Sequence, residues 1–426
     1  MNIEVIHQLF LKSSGGSTDT RNIYQNCLFF SLKGDNFNGN MFAEEAIDKG
    51  ALAVIIDEEE FHKNDGKTIL VENVLVCLQQ LARFHREFLD LPIISLTGSN
   101  GKTTSKELIN AVLSQKFKTV ATRGNLNNHI GVPLTLLKMD KHTEMGIVEM
   151  GANHLGEIKM LSEIAEPNYG YITNFGKAHL EGFGSLEGVV QGKTELYQFL
   201  KKHDRKIFVN ADDPIQMDNS EGIDRITFGS TGEDFDIQLV DGTDLLAIKF
   251  KSTVIQSNLV GAYNFANLSA AIAIGAYFKV SLEKIKAGIE SYVPSNNRSQ
   301  LIKKDTNTIL MDAYNANPTS MMAALENFKK VKCDNKIMFL GDMFELGQES
   351  EAEHQNIVDF LSEDEFGKVF LVGSHFFKAK NKTSYIKQFE DFDELKTNIK
   401  NKPPTNTRIL IKGSRGMALE RILDLL

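Results

Sequence analysis

Twelve consecutive residues, IISLTGSNGKTT from Ile93 to Thr104, restrict the fold more than any other stretch of the chain. The apolar run Ile93-Ile94-Ser95-Leu96 reads as a buried strand. Beyond the stretch, Leu108, Ala111, Val112 and Gln115 recur at helical spacing. Between strand and helix lies a turn with glycines at 98 and 101, which lets the backbone aim its N–H groups at an anion. The helix start adds partial positive charge at the same point. Lys102 supplies a mobile ammonium for the β- and γ-phosphates of a nucleotide, and Thr103 a hydroxyl for Mg²⁺. Leu96 stands where the pattern G-x-x-x-x-G-K-[ST] has its first glycine. The strand–loop–helix context that gives the motif its meaning is nevertheless intact. A strand, phosphate loop and helix in this order call for an α/β fold with a mainly parallel sheet.

At 426 residues the chain is too long for one ordinary core, and three blocks stand out. The first, residues 1–90, holds the short apolar runs Cys27–Phe30 and Ala53–Ile56, a Gly/Asn-rich loop from Lys33 to Asn40, and a helix from Val74 to Phe88. Leu91-Pro92 marks a break, because proline biases the residue before it away from helix. The second, residues 91–293, opens with the phosphate loop. It continues with strands at Gly146–Met150, Tyr169–Thr173 and Ile207–Asn210, a hairpin over Phe235–Lys251 turning at Asp241-Gly242, and an Ala-rich helix from Ala262 to Phe278. The third, residues 294–426, repeats the strand–helix alternation at Ile309–Met311, Ile337–Leu340, Val369–Val372 and Ile409–Ile411, as a second doubly wound unit. The charged stretch from Lys378 to Lys402 reads as solvated surface.

Net charge is −9, which speaks against a nucleic-acid footprint. Cys27, Cys77 and Cys333 form no C-x-x-C pair, so they read as reduced thiols, mostly buried. MNIEVIHQLF is not the pattern of a secretory leader, and no apolar run approaches the length of a membrane span. A cytoplasmic monomer is expected.

Ligands of open α/β sheets bind beyond the carboxyl ends of the strands, and the conspicuous polar residues cluster there. Glu149 ends one strand and precedes Gly151-Ala152-Asn153-His154. Asn174 ends another, followed by His179 and Glu181. Asn210, Asp312, Gly341-Asp342 and Lys412-Gly413 end four more. Each alone could be a helix cap or a turn residue. Six strand ends behaving alike suggest a site. Thr103 and Glu149 together offer one hydroxyl and one carboxylate, a reasonable minimal set for Mg²⁺, which prefers hard oxygens and keeps waters. His179 is the softer and less expected ligand.

These motifs resemble the Mur ligases of peptidoglycan synthesis. The resemblance runs through TGSNGKTT, GNLNNHIGVPLTLL (124–137), EMGANHLGEI (149–158), ITNFGKAHLEGFGS (172–185), GAYNFANLSAA (261–271), DAYNANPTSM (312–321), GDMFELG (341–347) and KGSRGM (412–417). STDTR (17–21) and LFFSLKGDNFNGNMF (28–42) are similar to the family's UDP-binding domain. It implies three domains: a small α/β N-terminal domain, a central P-loop domain and a C-terminal Rossmann-like domain. GNLNN-x-IGVPLTLL and DAYNANP are similar to the branch whose substrates are a UDP-N-acetylmuramoyl-tripeptide and D-alanyl-D-alanine. The D-N-P-R sequence of the branch that adds the third amino acid does not occur here. Neither does the N-K-x-D of a GTPase.

The resemblance implies ATP-driven amide-bond formation through an acyl phosphate, with two Mg²⁺ ions. Thr97, Gly98, Ser99, Asn100, Gly101, Lys102, Thr103 and Thr104 would hold the nucleotide phosphates. Thr103 and Glu149 would serve one Mg²⁺ and His179 a second. Lys193, in QGKTELY, stands where the family carries a carbamylated lysine; read without the family it is a surface lysine on a helix. Asn264 and Asn267 would lie near the adenine, and Arg298 and Asp312 would approach the nucleotide from the third block. Tyr314, Asn315 and Asn317 would sit near the reacting groups or the dipeptide, Asn125, Asn127 and Asn128 at the muramoyl-peptide side, and Ser31, Lys33 and Gly34 at the uridine end. The motifs split across blocks, so productive geometry requires the second and third to come together. Alternatives are a Mur-type ligase that adds a single amino acid to a UDP-muramoyl peptide or a folate and, more remotely, a nucleotide-binding regulator.

Overall fold

In the computed structural model, which describes residues 2–242, 244–364, 367–400 and 403–426, the chain builds three separate sheets and one small ribbon. The first sheet has four parallel strands in the order Gly16–Ser17, Leu28–Phe30, Ala53–Ile56, Thr68–Leu70. The helix Val74–Leu89 follows. Asn73 caps its start by accepting from Val76 N, and Asp90 ends it in the left-handed region at φ 46°, just before Leu91-Pro92. The expected loop at Lys33–Asn40 is instead a tight antiparallel ribbon, Lys33–Gly34 against Phe37–Asn38, running into a 3-10 turn at Gly39–Phe42.

The second sheet has nine strands. From one edge they run Thr119–Ala121, Met145–Glu149, Ile93–Thr97, Tyr169–Ile172, Lys206–Asn210, Arg225–Gly229, Phe235–Asp241, Leu245–Phe250 and Thr253–Val260. All neighbours are parallel except the last three strands, which form an antiparallel meander. The expected hairpin is its first half; Thr253–Val260 is an additional strand. Both faces of the central strands are covered. Ile93, Val148, Ile172 and Val209 enter one apolar core, and Ile94, Leu96, Ile147, Tyr171 and Phe208 the other. A strand buried on both faces must be apolar throughout, so these segments read as continuous apolar runs without alternation. The Ala-rich helix starts later than expected, at Phe265, because residues Ala262–Asn264 form a 3-10 turn.

The third sheet runs Gln300–Lys304, Asn307–Asp312, Arg408–Lys412, Lys336–Gly341, Lys368–Val372, Ile386–Phe389, with only the first pair antiparallel. The reading of Lys378–Lys402 as solvated surface is corrected here; its last two residues lie outside the described ones. Ile386–Phe389 is the sheet's edge strand, with Ile386 and Phe389 buried. Leu395 and Ile399 of the helix Phe392–Lys400 join the third core at helical spacing. Four buried side chains are enough to order a segment whose composition is otherwise charged. No helix among the described residues is long and apolar enough to cross a membrane.

Candidate active site

The loop Gly98–Gly101 leaves the strand Ile93–Thr97 and enters the helix Lys102–Leu113 as the sequence requires. Gly98 has φ +142° and Gly101 φ +78°. A Cβ at Gly98 would lie 2.0 Å from Thr173 Oγ1, and one at Gly101 would lie 2.5 Å from Asn267 Oδ1. Both glycines are therefore required by backbone conformation and by space. Asn174, at the end of the neighbouring strand, clamps the loop. Its Oδ1 accepts from Asn100 N at 3.0 Å, its Nδ2 donates to Asn100 O at 3.1 Å, and its carbonyl accepts from Ser99 N at 3.0 Å. Lys102 folds back over the loop, its Nζ donating to Gly98 O at 2.7 Å. Burial holds the Lys102 ammonium below the usual lysine range. Glu149 opposes that shift and Arg298 adds to it.

Glu149 is 1% exposed at the end of Met145–Glu149. Thr103 Oγ1 donates to it at 3.0 Å and Asn127 Nδ2 at 2.8 Å. Thr103 Oγ1 and the Glu149 carboxylate are thus adjacent hard oxygens beside the phosphate loop, which suits Mg²⁺. Among the described residues no three His, Cys, Asp or Glu side chains converge.

Lys193 is not a surface residue. It is 0% exposed on the helix Leu186–Lys202. Its Nζ donates to Ala152 O at 3.0 Å and lies 4.9 Å from the centre of the Phe183 ring. Burial holds the amine well below the usual lysine range. The Lys102 charge adds to this, while Glu157 and Glu195 oppose it. Those two carboxylates also order the loop above Lys193. Glu157 accepts from Asn153 N and His154 N, and Glu195 from Gly156 N and Lys159 N.

The third sheet's loops close on this assembly. Asn317 caps the helix Pro318–Lys330 in a reciprocal capping box with Ser320, and its Nδ2 donates to Asn100 Oδ1 at 2.7 Å. His179, at φ 54°, sets its Nδ1 2.5 Å from Glu345 Oε2. The His179 contact is the main reason the Glu345 carboxyl lies below its ordinary range. Lys177 pairs with Glu353 at 2.5 Å, and its backbone N–H donates to Thr319 Oγ1. Asp312 accepts from Ser299 N at 2.9 Å and pairs with Lys412 at 2.5 Å. The Arg298 guanidinium stacks 3.5 Å from the centre of the Tyr314 ring, with Arg415 also 5.3 Å from it. Asn315 is exposed, its Oδ1 turned back on Ala316 N.

Other expected residues serve the backbone. Asn264 and Asn267 are buried behind the loop; Asn267 Nδ2 donates to Asn264 Oδ1, and Ser105 Oγ to Asn267 Oδ1. Asn128 Oδ1 accepts from Ile130 N and Gly131 N, and Asn125 is exposed. In the first block Ser31 is fully enclosed with its hydroxyl unpartnered, Lys33 pairs with Asp57 and Glu58, and Gly34 is exposed in the ribbon. These three do not meet the phosphate loop's contacts described above. Among the suspicious strand ends, Asp342 accepts from His375 N and Phe376 N at a helix start. Asp213 caps Pro214–Asn219, and Asp212 holds the turn at Ser230-Thr231. Glu345, Lys177 and Glu353 carry no mark of their own in the sequence; Glu345 lies in GDMFELG beyond a strand end, Lys177 within ITNFGKAHLEGFGS, and Glu353 in no motif.

A phosphate loop, a carboxylate opposite its threonine, and a second α/β unit lying over both define the class: the chain belongs to the Mur ligase family. The family model for the "Mur ligase middle domain" matches residues 96–275, "Mur ligase, glutamate ligase domain" matches 297–415, and "Mur ligase family, catalytic domain" matches 13–86. Within the family, the chain is 37% identical to the UDP-N-acetylmuramoyl-tripeptide–D-alanyl-D-alanine ligase of Bacillus subtilis, over 96% of this chain and 92% of that one. It is 33% identical to the enzyme of the same name from Escherichia coli, over 96% and 92%. Among solved structures, MurF from Acinetobacter baumannii superposes with a TM-score of 0.85 at 30% identity, covering 98% of this chain and 97% of that one. MurF from Thermotoga maritima in complex with ADP gives 0.82 at 25%, with the same coverage.

Proposed function

We propose that this chain joins the terminal carboxylate of a UDP-N-acetylmuramoyl-tripeptide to the free amine of D-alanyl-D-alanine, with hydrolysis of ATP to ADP and phosphate. The observation that carries the reading is the meeting of Thr103, Glu149, Asn100 and Asn317 at one place, where a nucleotide's γ-phosphate and a carboxylate could be brought together. The substrate carboxylate attacks the γ-phosphorus, and the bond to ADP breaks. The amine then adds to the acyl phosphate, loses a proton, and phosphate leaves as the amide forms. Such transfer needs positioning and charge neutralisation more than covalent help. Lys102 swings from Gly98 O onto the phosphates, joined by the backbone amides at the helix start. Thr103 and Glu149 hold Mg²⁺, with His179 beside a second. Mg²⁺ supplies charge neutralisation and orientation of the phosphate oxygens.

Lys193 is the group to be carbamylated. Reaction with CO₂ requires a neutral amine, and its burial favours that form. The product is an oxygen-bearing anion in place of an ammonium. Arg298 and Asp312 meet the nucleotide from the third block, and Asn264 and Asn267 lie on the adenine side. Tyr314, Asn315 and Asn317 face the dipeptide. Asn125, Asn127 and Asn128 face the muramoyl peptide, and Lys33 and Gly34 the uridine end; Ser31, fully enclosed, has no open face toward it. The enzyme works as a cytoplasmic monomer.

The test is phosphate release with ATP, the UDP-tripeptide and D-alanyl-D-alanine. Release should require all three and vanish in Lys102→Ala. Equal release when a single amino acid replaces the dipeptide would overturn the assignment of the acceptor.

A further inference from the structure

Glu149 is a buried carboxylate whose hydrogen-bond donors, Thr103 and Asn127, carry no charge. Taking a carboxylate out of water without a counter-charge is strongly unfavourable. Two nearby lysines are already engaged with carbonyls: Lys102 with Gly98 and Ser99, and Lys193 with Ala152. Among the described residues the cation within ion-pair distance of Glu149 is Lys106, one turn further along the phosphate-loop helix, with the Lys102 charge acting on Glu149 from further off. Its side chain is 0% exposed. Its Nζ lies 3.7 Å from Glu149 Oε2, beyond hydrogen-bond distance, and 2.9 Å from Glu107 Oε1, and neither contact is a hydrogen bond. An ammonium enclosed in this way has spent its solvation without a matched acceptor. Attraction to the ionised Glu149 is the interaction that offsets that loss.

We propose that Lys106 is the resident counter-charge of Glu149, a positioning residue that holds this carboxylate turned toward Thr103 before any divalent cation arrives. The inference rests on the reading of Thr103 and Glu149 as magnesium ligands and goes beyond it. A fixed positive charge at this distance stabilises the metal-free protein and weakens the hold on the incoming cation, which keeps the ion exchangeable. The plainer role is a pair with Glu107, whose side chain is 40% exposed. In that case Lys106 would have no bearing on Glu149.

Four variants of the full chain separate the two roles: Lys106→Met, Glu149→Gln, both together, and Glu107→Gln. Thermal unfolding is followed in EDTA without nucleotide, and Mn²⁺ binding by electron paramagnetic resonance. Lys106→Met should lower Tm in EDTA, and adding Glu149→Gln should restore at least half of that loss, because the uncompensated charge is gone. Mn²⁺ should bind Lys106→Met about tenfold more tightly, the effect of removing one unit charge a few ångströms away in a well-screened site. Glu107→Gln should change neither reading. Losses that simply add in the double variant, or a Glu107→Gln that reproduces Lys106→Met, would overturn the proposal. If Lys106→Met does not fold, a folded double variant supports the proposal and an unfolded one refutes it. If the unaltered protein binds no Mn²⁺, the metal reading fails, and the stability cycle in EDTA still decides the role of Lys106.

Discussion

Acid should loosen this protein around His7, above the range where its carboxylates matter. His7 is fully buried, and its Nε2 lies 3.0 Å from His85 Nδ1; His85 Nε2 in turn lies 2.9 Å from the carbonyl of Met139. A carbonyl only accepts, so His85 carries its proton on Nε2 and accepts from His7 on Nδ1. That leaves His7 Nδ1 as a lone pair without a partner. Both rings are neutral, and Phe10, Phe84 and Phe88 surround them. Protonating either ring puts a charge and an unmatched N–H into an apolar space. Burial, with His85 adding to it, pushes the His7 pKa down to about 4 from 6.5. Burial lowers His85 as well, against the pull of the Met139 carbonyl and Asp140.

The direction follows from linkage. As pH falls, the unfolded chain takes up its proton near 6.5, while the folded chain resists until about 4. The His7 contribution is therefore complete above pH 6.5 and is lost progressively below it. The loss amounts to about 2 kcal/mol at pH 5 and about 3 kcal/mol once both states are protonated. The carboxyls held below their ordinary range, Asp57 and Glu345 among them, lose their contribution only at lower pH. The two effects occupy different windows.

The chain has no tryptophan, so urea unfolding is best followed by circular dichroism. The transition that separates the first block is the relevant one, because the pair joins helices Ile3–Phe10 and Val74–Leu89 to Met139 of the next block. His7→Gln keeps an amide that can donate to His85 Nδ1 and takes no proton. Between pH 7 and 5 the unaltered protein should lose about 2 kcal/mol in that transition, and the variant less than half as much. Parallel pH curves for the two proteins would refute the argument, whatever their absolute stabilities.

Two further outcomes follow from the site. Lys193→Met should abolish ligation while leaving Tm unchanged or raised, since a buried amine is replaced by an apolar chain of similar length; a large fall in Tm would show that its bond to Ala152 O is structural. Gly101→Ala should weaken nucleotide binding more than Gly124→Ala. Both positions have positive φ and share a backbone cost of roughly 1–2 kcal/mol, but only Gly101 has Asn267 within 2.5 Å of the new methyl, while Gly124 faces open space. Equal losses in a fluorescent nucleotide titration would remove the steric argument.

The parts of this fold that sequence exposes are those where one local pattern suffices. Ile93–Thr97, Tyr169–Ile172 and Arg408–Lys412 are buried on both faces, so each is a plain apolar run between turn signals. Thr253–Val260 is harder to see, because exposed, polar and apolar positions mix along it and only the antiparallel partner Leu245–Phe250 gives it a place. The strand and helix within Lys378–Lys402 bury one face of a charged segment, so composition conceals them. At the site the same distinction holds. The glycine loop and Glu149 are legible because strand, turn and strand end are local features. Glu345 meets His179 across 166 positions of chain, and nothing within GDMFELG marks it out. Lys193 is a lysine in a helix until packing shows it enclosed.

Asn100 shows how the structure narrows the phosphate site. Asn174 and Thr173 hold its backbone, with Thr173 Oγ1 donating to Asn100 O at 2.6 Å, and Asn317 holds its side chain. The Ser99 and Asn100 amides both donate to Asn174, so they are not available to an anion. The amides left without a helical acceptor are those of the helix start, Gly101, Lys102, Thr103 and Thr104. The phosphates should therefore sit over the helix start rather than within the whole loop. Two substitutions then separate binding from catalysis. Asn174→Ala strips the clamp from one loop amide, that of Asn100, while Ser99 N keeps the backbone carbonyl of residue 174; the amide left unpaired costs about 1–3 kcal/mol, and the substitution should raise the KM for ATP. Asn100→Ala removes only the acceptor for Asn317. It leaves the backbone clamp in place and should lower kcat while holding the KM for ATP, because the third sheet's contact with the loop is cut. Steady-state kinetics of phosphate release distinguishes the two. If Asn100→Ala raised KM as strongly as Asn174→Ala with kcat unchanged, the bridge would be part of the nucleotide cradle and not the link that brings the acceptor's side to it.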